Sequence, residues 1–143
     1  MLFVCKGNMF RSVMAEAIYR KITGSRGVIS AGTYVGAPDE PEGRILSDLY
    51  AEDSKFFKIM DEHGINIRDK RTKRLTPKMV NDADIVVSMA QEPFIPDFLK
   101  NNKKVIWWQI ADPDSHTIDF LEETYRKLET LITELVKKNN QTS

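Results

Sequence analysis

The chain has 143 residues, 41% of them hydrophobic and 29% charged, with 21 Lys plus Arg balanced by 21 Asp plus Glu. A formal net charge of zero removes any global pull toward nucleic acid or an anionic membrane, so an anion site has to be local. One cysteine excludes an internal disulfide, and with only His63 and His116 beside it the chain has too few ligands for a structural zinc site. The opening MLFVCKGN holds too short an apolar run for a signal peptide, and no segment approaches the ~20 apolar residues of a spanning helix. The expectation is a cytoplasmic protein folded as one domain over residues 1–143.

In chain order, Leu2-Phe3-Val4 reads as a short buried strand, and a helix starting at Ser12 lines up Val13, Met14, Ala17 and Ile18. Val28 to Ala31 predicts a second strand closed by Gly32. Pro41 to Glu62 reads as mostly helical, stopped by His63-Gly64 as a glycine C-cap. Thr76-Pro77 is a start signal, a hydroxyl cap followed by proline in the first turn, for a short helix to about Asp82. Asp84 to Met89 and Lys104 to Trp108 predict strands three and four. Trp107 and Trp108 then face opposite sides of the sheet. A long last helix carries Ile118, Leu121, Leu128, Leu131, Ile132, Leu135 and Val136 on one face. Strands alternating with helices predict an α/β fold with a doubly wound parallel sheet and helices on both faces. Ligands of such sheets sit beyond the carboxyl ends of the strands, where Cys5 stands.

Residues 4–12, VCKGNMFRS, hold that single thiol. A tight loop entering a helix aims unpaired backbone N–H groups at one point, which favours a doubly charged oxyanion and a thiolate over a thiol. Arg11 supplies a planar fork for two phosphate oxygens, and Ser12 can donate its hydroxyl to the sulfur. Gly7 permits close backbone approach, and Asn8 tolerates left-handed dihedrals. Lys6, Met9 and Phe10 complete the loop that supports the phosphate. The plain alternative is a buried cysteine acting as a small hydrophobe at a strand end. A phosphomonoester also needs its leaving oxygen protonated. Asp112, in Asp112-Pro113-Asp114 after the fourth strand, is the candidate acid, with Asp114 its competitor.

These pieces resemble the low-molecular-weight protein tyrosine phosphatases. CKGNMFRSVMAEA, SAGT at Ser30–Thr33, HGINIRDKRTKRL, ADIVVSM and IADP look like the family's segments, in the family's order. The resemblance implies a four-stranded sheet in the order 2-1-3-4 and no metal or organic cofactor. It also implies Cys5 as nucleophile, Arg11 as phosphate ligand, and Asp112 as acid and then base. Phe10 stands where the family carries a second loop cysteine, so no intra-loop disulfide can protect an oxidised Cys5. Val13 replaces the usual proline, and Asp114 and Ser115 replace tyrosines that wall the pocket in many eukaryotic members. Tyr34 is a candidate for the pocket rim, and about ten residues around Gly43–Asp53 look inserted, as a longer helix or a lid. An apolar residue at the position of Met9 goes with phosphotyrosine in the family, and threonine with phosphoarginine.

The expected function is a cysteine-dependent phosphomonoesterase, acting on phosphotyrosine in protein or on a small aryl phosphate through a cysteinyl-phosphate. The alternatives are a protein arginine phosphatase, an arsenate reductase using an external thiol, and a phosphocysteine carrier or phosphate-binding module that does not hydrolyse. A monomer is expected, with no nucleic-acid or membrane partner. The basic run Arg68–Arg74 reads as a solvated loop, with docking of an acidic partner as the sharper option. His63 reads as a cation in a helix's last turn and His116 as a surface loop residue.

Overall fold

Leu2 and Val4 point to one side of the first strand and Phe3 and Cys5 to the other, and that alternation divides the core in two. The computed structural model describes residues 1–111 and 117–142, with side chains described through Asn139. The element order is β1 (Leu2–Cys5), α1 (Arg11–Thr23), β2 (Ile29–Gly32), α2 (Leu46–Leu49), α3 (Lys55–Glu62), α4 (Pro77–Asp82), β3 (Val86–Ser88), α5 (Asp97–Lys100), β4 (Val105–Trp107) and α6 (Ile118–Thr142). The four strands are parallel in the order β2-β1-β3-β4, as expected. Val4 pairs with Ala31 on one side and Ser88 on the other, so the ends of β1, β2 and β3 come level beside Cys5.

Phe3 and Val87 pack under α1, α3 and α6 with Met14, Ile18, Phe56, Met60, Leu121, Tyr125 and Leu128. Leu2, Val4, Val86 and Val105 pack on the other face with Val80 of α4 and Leu99 of α5. The helices therefore cover both faces. Helix starts follow their caps: Thr76 Oγ1 accepts from Met79 N at 3.3 Å ahead of Pro77, and Ser54 Oγ accepts from Phe57 N at 3.3 Å. Gly64 ends α3 at φ 77°, the left-handed turn that the His63-Gly64 pair announces. Trp107 lies 43% exposed on the edge strand, while Trp108 tilts against Phe3 at 6.1 Å, so the two rings do part company.

The stretch Pro41–Glu62, expected to be mostly helical, is helical in α2 and α3 but not over residues 41–45. Its backbone groups are engaged sideways instead. Gly43 N donates to Thr72 O (2.8 Å), Thr72 N to Arg44 O (2.9 Å) and Leu46 N to Lys70 O (2.9 Å). Residues 43–45 thus run extended beside 71–72 and lead into α2 at the buried Leu46, so residues 43–50 form a strap that is neither a long helix nor a free lid. Helix α5 was not expected; it starts at Asp97 with Pro96 as its N-cap, after a loop whose apolar residues offered no helical period.

Candidate active site

β1 ends at Cys5 and α1 begins at Arg11, so the five residues between must reverse the chain above the sheet. Asn8 makes the reversal at φ 52°, a left-handed conformation that asparagine tolerates. Gly7 has no positive φ; a Cβ there would meet the end of the Met9 side chain at 3.0 Å. The tighter glycine is Gly32, where a Cβ would lie 2.7 Å from Lys6 O and 3.0 Å from Asn8 N. Among the described residues, no acceptor pairs with the backbone N–H groups of Gly7, Asn8 or Met9. Donors left unpaired in a packed loop at a helix N-terminus form an anion cradle.

The side chains beneath the cradle form one buried chain of hydrogen bonds. Cys5 Sγ lies 3.0 Å from Ser12 Oγ. Asn8 Nδ2 donates to Ser12 Oγ (2.8 Å) and Ser30 Oγ (2.9 Å), while Asn8 Oδ1 accepts from Lys73 N (2.9 Å). Ser12 Oγ accepts from Asn8 and keeps its own proton, which it can donate to the sulfur when Cys5 is a thiolate. Ser30 Oγ in turn donates to Glu16 Oε1 (3.1 Å), a carboxylate only 1% exposed. Lys70 Nζ closes the far end on Glu16 Oε2 (2.5 Å). Burial holds the Lys73 ammonium below its ordinary lysine range, with Glu16 opposing that shift.

Arg11 is buried at the start of α1, and Nη1 donates to the carbonyls of Met89 (2.6 Å) and Ile110 (3.1 Å). Two carbonyls from the ends of β3 and β4 thereby fix the plane of the guanidinium. Phe10 turns away from the cradle into the core, edge-on to Phe56 at 5.1 Å. Met9 is braced from the strap: Tyr50 Oη donates to its carbonyl (3.2 Å), and Arg44 Nη2 approaches its sulfur at 3.7 Å. Lys6 reaches outward, its Nζ 5.0 Å from the centre of the Tyr34 ring and 4.1 Å from that of Phe94. Tyr34 Oη donates to Asp39 Oδ1 (3.0 Å), which raises the phenol above its usual range. Asp112, Pro113, Asp114, Ser115 and His116 lie outside the described residues.

The structure thus gathers Cys5, Lys6, Gly7, Asn8, Met9, Arg11 and Ser12 around one point, with Tyr34 beside Lys6. Ser30, Glu16, Gly32, Lys70, Arg44, Tyr50 and Phe94 are additions that reading along the chain missed. A carboxylate between Ala15 and Ala17 on an otherwise apolar helix face was the one local signal for Glu16. The basic run is not a solvated loop throughout. Arg68 Nη1 pairs with Asp61 (2.8 Å) and its Nε with Glu52 (2.7 Å), Lys70 pairs with Glu16, and Arg71 Nη1 donates to Gly43 O (2.9 Å). His63 stacks flat on Tyr125 at 3.7 Å, with Nε2 3.2 Å from Glu122.

The sequence matches the family described as "Low molecular weight phosphotyrosine protein phosphatase" over residues 1–142. It is 40% identical over 88 residues to the probable low molecular weight protein-tyrosine-phosphatase EpsP of Ralstonia solanacearum, covering 62% of this chain and 53% of EpsP. The aligned part therefore spans about half the length of that relative. The protein-arginine-phosphatase of Bacillus subtilis is 27% identical over 96% of this chain and 94% of its own. The crystal structure of the low molecular weight protein tyrosine phosphatase from T. tengcongensis superposes with a TM-score of 0.71 at 28% identity, covering 96% of this chain and 97% of that one. With strand order and family match in agreement, this chain belongs to the low molecular weight phosphotyrosine protein phosphatase family.

Proposed function

We propose that this protein is a cysteine-dependent phosphomonoesterase that removes phosphate from tyrosine in proteins through a cysteinyl-phosphate. The observation that carries the reading is the Sγ–Oγ contact of 3.0 Å between Cys5 and Ser12, at the mouth of a loop with unpaired backbone donors. Cys5 attacks as the thiolate, forming the S–P bond as the P–O bond to the leaving phenol breaks. Arg11 and the loop N–H groups hold the equatorial oxygens, a grip that strengthens as charge develops and so lowers the barrier. Asp112 gives its proton to the phenolate. It then takes one from the water that attacks phosphorus, the S–P bond breaks, and inorganic phosphate leaves. Support for Asp112 comes from Ile110, whose carbonyl accepts from Arg11 two residues earlier in the chain.

Phosphorylated protein is the proposed substrate class, and the cytoplasm the proposed compartment, because a reducing environment keeps a lone catalytic thiol usable. No helix among the described residues is long and apolar enough to cross a membrane. A monomer is the proposed state. Cys5→Ser is expected to abolish turnover of p-nitrophenyl phosphate, and near-wild-type turnover would refute the nucleophile. Asp112→Ala is expected to slow turnover and let a phosphoenzyme accumulate; the same behaviour from Asp114→Ala alone would move the acid there. The similarity to the protein-arginine-phosphatase of Bacillus subtilis favours one second reading, phosphoarginine as substrate. Comparing phosphotyrosine and phosphoarginine peptides separates the two, and Met9 in the loop supports the aromatic substrate.

A further inference from the structure

Lys6 follows the proposed nucleophile directly, yet its ammonium has no carboxylate partner among the described residues. It rests instead over two ring faces, Phe94 at 4.1 Å and Tyr34 at 5.0 Å, which themselves meet edge-on at 5.2 Å. The acids nearby are engaged elsewhere: Asp39 accepts from Tyr34, Glu40 pairs with Arg44, Glu42 accepts from Arg74 N, and Glu92 pairs with Lys100 at 2.7 Å. A lysine in water samples many rotamers, whereas two aromatic faces hold this one in place. They do so without neutralising it. Beside it lies a cleft of about 390 Å³ lined by Thr33, Tyr34, Phe94 and three neighbours of Phe94, two of them prolines. A peptide strand advances about 3.5 Å per residue, so a substrate whose phosphorylated residue reaches Cys5 brings its next residues past Lys6 and along this cleft.

We propose that Lys6, seated on Phe94 and Tyr34, selects phosphopeptides carrying an acidic residue one or two positions from the phosphorylated one. The inference rests on the phosphatase reading and adds the sequence context that the site prefers. A cation at a solvent-facing rim gives an ion pair of modest strength, so the preference is about fivefold at low ionic strength and shrinks as salt screens it.

The test compares kcat/KM on two phosphotyrosine peptides identical except for Glu or Gln beside the phosphotyrosine. The wild-type protein is expected to favour the Glu peptide about fivefold, with the ratio falling toward one at about 0.5 M salt. Lys6→Arg is expected to keep the preference and Lys6→Met to lose it. A purely structural role for Lys6 would lower both peptides alike and leave the ratio unchanged in Lys6→Met, which would overturn the proposal. Phe94→Leu removes the seat and keeps the charge, and is expected to give a ratio between those of the wild type and Lys6→Met. A wild-type ratio of one at low salt also overturns the proposal. Turnover of p-nitrophenyl phosphate separates the two claims: if the wild type lacks it the phosphatase reading fails, and if it is present the peptide ratio judges Lys6 alone.

Discussion

Asn8 combines two demands in one side chain. Its backbone sits at φ 52°, where most L-residues are strained by roughly 1–2 kcal/mol, and its amide makes three hydrogen bonds, two of them buried, that align Ser12 on Cys5. Two substitutions separate these demands. Asn8→Gly keeps the backbone freely accessible and Asn8→Ala does not, while both delete the bonds. Both are expected to lower kcat on p-nitrophenyl phosphate by about 100-fold, the scale of a misplaced reacting group. Asn8→Gly is expected to melt higher than Asn8→Ala, by the equivalent of about 1 kcal/mol. Recovery of kcat in Asn8→Gly would show that Asn8 matters only for backbone shape. The left-handed turn was legible, since Asn beside Gly in a tight loop is a local signal. Its bonds to Ser30 and to the Lys73 amide were not, because those partners lie 22 and 65 residues away.

The Cys5–Arg11 loop is shaped by the elements on either side of it. β2 ends at Gly32 directly under Lys6 and Asn8, and an added Cβ would press on Lys6 O at 2.7 Å and on Val35 Cγ2 at 2.6 Å. Backbone cannot yield there as a long side chain would. Gly32→Ala is accordingly expected to cost about 1–3 kcal/mol in denaturant unfolding and to reduce kcat, because the strain falls on the loop itself. Unchanged stability and kcat would mean that the loop can shift freely over β2. On the other flank, Phe10 fastens the loop to α3 through Phe56. A buried aromatic anchor thus occupies the position of the second cysteine in the family, and Cys5 remains the chain's one thiol. The strap 43–50 braces the same loop through Arg44 and Tyr50 at Met9, which gives the apparent insertion a mechanical role.

Across the whole molecule, α6 closes the core, and Tyr125 at its centre stacks on His63 at the end of α3. The Tyr125 hydroxyl is buried with no hydrogen-bond partner among the described residues, and burial pushes its pKa up to about 12. The folded state therefore holds that proton after the unfolded chain, with an ordinary phenol near 10, has begun to lose it. Stability is unaffected below pH 10 and falls as pH rises from about 10 to about 12. Tyr125→Phe keeps the ring and drops the unsatisfied group. It is expected to raise unfolding stability at pH 8 by about 1 kcal/mol and to remove this share of the alkaline loss, as melting curves at pH 8 and 11 will register. Equal alkaline loss in both proteins would assign the effect to other groups. The amino-acid sequence by itself determined the alternation of strands and helices, the Cys5–Arg11 turn between the first strand and the first helix, and the helix caps. Each of these is written within a few adjacent residues, where covalent geometry dictates who meets whom. Only the tertiary structure decided that Arg11 is fixed by carbonyls 78 and 99 residues away, that Glu16 ends the hydrogen-bond chain running from Ser12 through Asn8 and Ser30, and that Lys6 lies on Phe94. Those meetings follow from the order β2-β1-β3-β4, which brings distant strand ends to one edge, and no local spacing records that order.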